Sequence, residues 1–129
     1  MKKRLTQILK NVGLYKPLRF IYNKIGRLNK ITKIFFLDNS FSFWTPTYYL
    51  DDYVKNLAGE ERLIKELINQ INNNDVVWDI GANIGFHSIL TARICVGKSI
   101  KVCCFEPEVE TYELLKKNIE LNKCSNINT

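Results

Sequence analysis

Two short motifs contain the residues whose types and spacing could bind a ligand. In VVWDIGANIGF, Asp79 lies in an apolar run, and a glycine loop then extends from Gly81 to Gly85. In VCCFEPE, a second apolar run ends at Glu106, directly before a proline. A carboxylate there can accept hydrogen bonds from both hydroxyls of a ribose. The two motifs together predict a site for an adenosine-containing ligand.

The segments around these motifs predict an α/β fold. Val76–Ile80 and Ile100–Phe105 are apolar almost throughout, which is typical of parallel strands buried on both faces. A helix is expected after each strand, and another is expected from Gly59 to the polar run Asn72–Asn74. In such folds the ligand lies at the carboxyl ends of the strands, where the glycine loop and Glu106 would meet.

The residues of the glycine loop argue against a ligand that contains phosphate. A phosphate-binding loop needs lysine and serine or threonine after its last glycine, but Phe86 and His87 follow here. A dinucleotide loop needs glycine where this chain has Asn83, and Asp79 would lie close to the phosphates. S-adenosylmethionine has no phosphate, and its cationic groups tolerate acids. Its carboxylate also suits a helix N-terminus.

Both motifs resemble the first two cofactor motifs of the FkbM-type methyltransferases, a class I family that uses S-adenosylmethionine. The resemblance rests on VVWDIGANIGFHS and VCCFEPEVETYELLKKNIELN and covers residues 60–127. It implies a partial Rossmann-like class I methyltransferase fold. It also implies two groups of cofactor-binding residues: Glu106 would hold the ribose, and the methionine part would be surrounded by Asp79, Gly81, Asn83 and Gly85.

The reaction implied by the resemblance is methylation of a hydroxyl on a sugar or a natural product. Methyl transfer is an in-line displacement, so its rate depends on how the acceptor oxygen is held. A hydroxyl acceptor can also need a general base. The sequence identifies neither the base nor the acceptor. His87, the single histidine, is expected to form part of the pocket wall.

The cysteines and the apolar pattern favour a cytoplasmic protein without a metal site. The four cysteines, at 95, 103, 104 and 124, contain no CxxC pair, which argues against zinc. No apolar run approaches the roughly 18 residues of a membrane-spanning helix. The start of the chain also lacks the uninterrupted apolar segment of a secretory signal. We therefore expect reduced, buried thiols.

Charge and pattern suggest two domains. Residues 1–37 carry ten lysines and arginines and no acid, and their apolar spacing predicts two short amphipathic helices. These favour capping helices with a solvated basic face, and peripheral contact with an anionic membrane is the alternative. Asp38–Ser40 is the predicted turn of an aromatic β-hairpin that packs on the rest. The expected domains are 1–58, the leader and hairpin, and 59–129, the amino-terminal part of a methyltransferase domain.

The chain is expected to be a truncated, amino-terminal piece of a longer enzyme, because a complete class I fold has seven strands and the pattern predicts two. An NAD-dependent Rossmann enzyme stays open as an alternative, although Asn83 and the missing third glycine argue against it. A non-catalytic binding module also stays open. The sequence favours a small-molecule or glycan acceptor over a nucleic acid, but it does not exclude methylation of a base.

Overall fold

The computed structural model describes residues 29–46 and 50–129, with side chains described for 30–46 and 60–129. The two helices expected in the leader lie in residues 1–28, outside the described residues. Among the helices that are described, none is both long enough and apolar enough to cross a bilayer.

The described chain forms a β-hairpin, three α-helices and a parallel sheet. In chain order the elements are β1 (Asn29–Phe36), β2 (Asn39–Pro46), α1 (Leu50–Gln70), β3 (Val76–Ile80), α2 (Phe86–Ile94), a short 3₁₀ helix (Val96–Lys98), β4 (Lys101–Phe105), α3 (Val109–Leu121) and β5 (Ile127–Asn128). The sheet order is β3-β4-β5, and both strand pairs are parallel. The α/β fold class predicted from the sequence is confirmed.

The sheet has one strand more than the sequence predicted. Ile127 pairs with Val102 and Asn128 pairs with Cys103, so the last residues of the chain form the short strand β5. As a result β4 lies between two neighbours, and Val102 is fully buried. The expectation of a two-stranded sheet was therefore wrong, because two residues are too few to produce a pattern.

One face of β3 is open to solvent in the described part of the chain. Val76, Trp78 and Ile80 are 54%, 66% and 78% exposed, whereas Val77 and Asp79 on the opposite face are partly buried. Within the described residues, β3 is therefore covered on one face only. An apolar run shows that a strand can be covered on both sides, but it does not show which segments cover it.

The helix α1 begins at Leu50, well before Gly59, where the sequence predicted its start. Glycine is a poor helix former, but its cost of about 1 kcal/mol is small enough for tertiary packing to override. The expected boundary between residues 58 and 59 therefore falls inside one helix. The division into two domains stays a prediction.

The hairpin forms as predicted, but its turn lies earlier in the chain. Phe36 pairs with Asn39, so the turn residues are Leu37 and Asp38 rather than Asp38–Ser40. Their φ angles are 45° and 60°, as in the type I′ turns that match the twist of a hairpin. Leucine is rare at positive φ, which is why the sequence did not reveal this register.

Two aromatic residues of β2 anchor the hairpin to the α/β domain. Phe41 and Phe43 are fully buried, and the Phe43 ring centroid lies 5.6 Å from that of Phe86 at the start of α2. Burial of such a side chain contributes about 1.5–3 kcal/mol. The aromatic residues of β2 thus act in packing, as the sequence favoured.

Two buried asparagines, Asn118 in α3 and Asn122 at its C-cap, bind the backbone of β2. Asn118 accepts from the N–H of Trp44 (2.6 Å) and donates to its carbonyl (3.2 Å). Asn122 makes the same pair of bonds with Ser42, at 3.1 and 2.6 Å. Four residues of helix and two residues of strand both span about 6–7 Å. This match allows successive turns of α3 to bind alternate residues of β2.

The turn geometry predicts that Asp38→Gly stabilises the protein. Asp38 is exposed with φ 60°, where glycine carries no steric cost, so the free energy of unfolding should rise by about 0.5–1 kcal/mol. Ser40→Gly is the matched control, because Ser40 is exposed but lies in a strand, where glycine should cost a similar amount. Urea unfolding measures both, and a less stable Asp38→Gly variant would contradict the assigned turn.

Candidate cofactor site

The glycine loop connects β3 to α2 and is fixed to the end of the neighbouring strand. The N–H groups of Gly81 and Ala82 both donate to the carbonyl of Phe105, the last residue of β4, at 2.8 and 3.0 Å. The N–H of Gly85 donates back to the Ala82 carbonyl at 2.8 Å. The loop therefore lies at the carboxyl ends of β3 and β4, where the sequence predicted a site.

The two glycines of the loop are required for different reasons. Both have left-handed φ angles, 81° for Gly81 and 87° for Gly85, which side-chain-bearing residues rarely adopt. A Cβ on Gly81 would meet no atom within 4 Å, whereas one on Gly85 would lie 2.5 Å from Cδ1 of Leu115. The absence of a side chain at Gly85 thus allows α3 to pack closely on the loop. The position of a side chain at Gly81 is open space beside the loop.

Asn83 replaces the glycine of a dinucleotide loop without losing the loop conformation. Its φ angle is 51°, in the left-handed region that asparagine tolerates better than most residues. Its side-chain oxygen accepts from the N–H of Ile84 at 2.8 Å, which supports this conformation locally. The position therefore carries a polar side chain where a dinucleotide fold needs none.

Glu106 joins the end of β4 to the glycine loop. Its Oε2 accepts from the N–H of Asn83 at 2.8 Å, and its Oε1 accepts from the N–H of Glu108 at 3.0 Å. A carboxylate has about four acceptor positions, so these two bonds leave capacity for two hydroxyl donors. The predicted meeting of Glu106 with the loop is observed, and its ribose-binding role stays a prediction.

Asp79 is directed towards the first turn of α2. One of its oxygens accepts the hydroxyl hydrogen of Ser88, and the Ser88 oxygen in turn accepts from the Cys104 thiol at 2.9 Å. Burial raises the pKa of the Cys104 thiol, although the hydrogen bond with Ser88 opposes this shift, so the thiol remains the donor. Sequence analysis missed Ser88, whose only signal is a small polar residue on the buried side of α2.

The four cysteines are free thiols, and three of them are buried. Burial raises the pKa of Cys124 to about 11 and also raises that of Cys95, with Arg93 and Lys98 respectively opposing the shifts. These thiols therefore stay protonated and unreactive near neutral pH. Within the ranges the structure describes, no cluster of His, Cys, Asp and Glu could hold a metal ion.

His87 lies beside a cavity of about 270 Å³ between α1 and α2. Its Nε2 is 3.0 Å from Oε2 of Glu60, and both side chains are 43% exposed. The cavity is lined by apolar residues of α1 and β3 together with Asp79 and Ser88. His87 thus forms part of the wall of this cavity, as the sequence favoured.

The fold and the loop define a domain of the methyltransferase class. Residues 52–129 match the TRM5/TYW2 methyltransferase domain, and this match covers more than half of the chain. The chain therefore belongs to the TRM5/TYW2 methyltransferase domain family. The narrower FkbM assignment goes beyond this result.

One similar protein is a methyltransferase, and one solved structure shares the fold. Over 65 residues the chain is 38% identical to the hexuronic acid methyltransferase AglP of Haloferax volcanii, covering 50% of this chain and 25% of AglP. The crystal structure of PH0793 from Pyrococcus horikoshii has the same fold, with a TM-score of 0.52 and 20% identity over 76% of this chain and 34% of PH0793. The chain thus spans well under half the length of both proteins.

The environments of the glycines predict a graded series of alanine variants. Gly97→Ala should change the free energy of unfolding by less than about 0.5 kcal/mol, since nothing lies near its Cβ position. Gly81→Ala should lower the free energy of unfolding by roughly 1–2 kcal/mol, because alanine is strained at the positive φ angle of this position. Gly85→Ala should cost about 1–3 kcal/mol more, because it adds a steric clash with Leu115 to the same strain.

Urea unfolding of the three variants measures this series. Equal stability of the Gly81→Ala and Gly85→Ala variants would contradict the close packing of α3 on the loop.

Proposed function

We propose that this chain carries the cofactor-binding part of an S-adenosylmethionine-dependent methyltransferase. The observation that carries the proposal is the bond from the Asn83 N–H to the Glu106 carboxylate at the carboxyl ends of two parallel strands. This bond holds the glycine loop beside a carboxylate that can accept hydrogen bonds from ribose hydroxyls, and both lie at one edge of the sheet. Membership of a methyltransferase domain family supports the same conclusion.

The groups at this edge suit each part of the proposed cofactor. Glu106 has acceptor capacity for the ribose hydroxyls. The helix α2 begins at Phe86, and its N-cap Gly85 has no side chain, so the N-terminus of this helix suits the carboxylate of the methionine part. Asp79 places a carboxylate near the loop, which suits a sulfonium or ammonium group and opposes a pyrophosphate.

The residues described here bind and orient the cofactor. S-adenosylmethionine held at this edge would supply a methyl group on a sulfonium, whose transfer to an acceptor oxygen would release S-adenosylhomocysteine as the leaving group. Glu106 and the glycine loop fix where that methyl group lies, and positioning is a large part of the rate enhancement in such reactions. No described residue is assigned as the general base.

The proposed acceptor is a hydroxyl group of a sugar or another small molecule. AglP is named as a hexuronic acid methyltransferase, and the FkbM-type resemblance rests on the segments that contain the glycine loop and Glu106. We therefore propose an enzyme that resembles the FkbM-type methyltransferases of sugars and natural products. A cytoplasmic location remains part of this proposal.

Calorimetric titration of variants tests the assignment against an NAD-dependent enzyme. Glu106→Ala should weaken binding of S-adenosylhomocysteine by roughly ten- to a hundredfold, because it removes a charged acceptor for the ribose hydroxyls. Asn83→Gly restores the glycine of a dinucleotide loop, and it should weaken S-adenosylhomocysteine binding without producing affinity for NADH.

Glu113→Ala is the control for this titration, because it removes an exposed acid of α3 whose ion pair with Lys116 lies on the surface. Thermal unfolding of Glu106→Ala separates lost affinity from a loosened loop, since Glu106 also holds the Asn83 N–H. Tighter binding of NADH than of S-adenosylhomocysteine by the wild type would reject the proposed cofactor.

Peripheral contact with an anionic membrane is a second proposal, favoured by the hairpin surface. On β1, the exposed Lys33 lies on the same face as Ile31 and Phe35, which are 48% and 78% exposed, and Lys30 is exposed at the start of the strand. Both lysines belong to the basic segment of residues 1–37. Basic and apolar groups on one surface suit the headgroup region of an anionic bilayer.

Vesicle sedimentation tests this contact. The double variant Lys30→Gln/Lys33→Gln should bind vesicles containing phosphatidylserine roughly five- to thirtyfold more weakly than the wild type, at about 1 kcal/mol per lysine. Lys117→Gln/Lys123→Gln, which removes two exposed charges elsewhere, is the control. Equal binding of the wild type to neutral and anionic vesicles would reject the proposal.

A further inference from the structure

Asn118 connects the β-hairpin to the glycine loop through one side-chain amide. The side chain is fully buried, with 0% exposure. Its oxygen accepts from the Trp44 N–H at 2.6 Å, and its nitrogen donates to the Trp44 carbonyl at 3.2 Å and to the Ile84 carbonyl at 2.9 Å. The oxygen and both N–H groups of the amide are thus engaged.

The hairpin determines which way this amide faces. Trp44 offers an N–H, so the oxygen of Asn118 must face β2, and one N–H of the amide is then directed to Ile84. The reversed amide would place its oxygen against the Ile84 carbonyl, leaving two acceptors in contact in a buried site. Docking of the hairpin therefore selects the orientation in which Asn118 can bind the loop.

The hydrogen bond from Asn118 holds the loop at Ile84, next to the residues that shape the site. Ile84 lies between Asn83, whose N–H is held by Glu106, and Gly85, which packs against α3. A carbonyl fixed at Ile84 restricts the two peptide groups that lead into α2. Loss of this bond leaves a buried carbonyl without its donor, a situation that favours rearrangement of the loop.

We propose that Asn118 is a positioning residue for the glycine loop, and that the β-hairpin takes part in the cofactor site by orienting its amide. The effect on affinity rests on the proposed function, because it requires the loop to bind S-adenosylmethionine. The effect on the loop itself does not. Hairpin docking and cofactor binding are then coupled, and the coupling is reciprocal.

Asn122 provides a matched comparison one helical turn away. It makes the same two bonds with Ser42 on β2, but the second donor bond of its amide goes to the Asn118 carbonyl of its own helix, at 2.8 Å. It therefore holds the hairpin but not the loop. Asn122→Ala should loosen the hairpin alone, whereas Asn118→Ala should loosen both.

Amide hydrogen exchange of the ligand-free protein tests the proposal. Rates are normalised to the Val102 N–H, which is bonded to the Asn126 carbonyl in the centre of the sheet, so that global destabilisation cancels. In Asn118→Ala, exchange of the Asn83 and Gly85 N–H groups should become about two- to tenfold faster, the equivalent of one hydrogen bond. In Asn122→Ala it should stay within about twofold, while the Ser42 N–H exchanges faster.

Asn118→Asp separates the hydrogen bond from the filled volume. The aspartate has almost the same size and keeps an acceptor for the Trp44 N–H, but in its ionised form it has no donor for Ile84. Its loop should therefore exchange as fast as that of Asn118→Ala. A loop that exchanges at the wild-type rate in both variants would overturn the proposal.

The affinity for S-adenosylhomocysteine is the second measurement. It should fall at least about threefold in Asn118→Ala relative to Asn122→Ala. Equal affinity of these two variants would overturn the proposed coupling. A wild-type protein that does not bind S-adenosylhomocysteine would reject the proposed function instead, and the exchange rates of the ligand-free loop would still decide whether Asn118 positions it.

Discussion

The attachment of the glycine loop to the end of β4 is the interaction on which the rest of the site depends. Three successive N–H groups, from Gly81 to Asn83, bind the Phe105 carbonyl and the Glu106 carboxylate. This attachment bends the chain out of β3 and directs it into α2. It also places the carboxylate beside the loop before any ligand is present, so that little ordering is needed on binding.

The elements around this attachment support it from both sides. Below the loop, Leu115 of α3 packs so close to Gly85 that no side chain would fit there. Beside it, the hairpin packs Phe41 and Phe43 into the core and offers its backbone to the asparagines of α3. The hairpin precedes the strand, loop and helix in the chain, and the Asn118 amide links its backbone to the loop.

The local elements of the site were predictable from the sequence, because they depend on local signals. An apolar run ending near two glycines indicates a strand that turns into a helix, and Glu106 directly after β4 must lie at the edge of the sheet. The shape of the loop follows from residue types that tolerate positive φ angles.

The contacts between distant segments were not predictable. Asn118 looks like an ordinary polar residue of a helix, and its role depends on Trp44 and Ile84, which lie 74 and 34 residues away in the chain. Likewise, Ser88 gains its role only when Asp79 and Cys104 come together on neighbouring strands. A buried polar side chain is identified by its partners, and a single sequence does not reveal them.

Nuclear magnetic resonance titration of the ¹⁵N-labelled protein with S-adenosylhomocysteine tests the central claim most directly, because each amide of the site reports separately. The account predicts that the largest saturable shifts occur at the N–H groups of Gly81, Ala82 and Asn83 and at that of Glu106, with small shifts on the exposed face of β3 at Trp78 and Ile80. Shifts confined to other surfaces, with the loop amides unchanged at saturation, would contradict it.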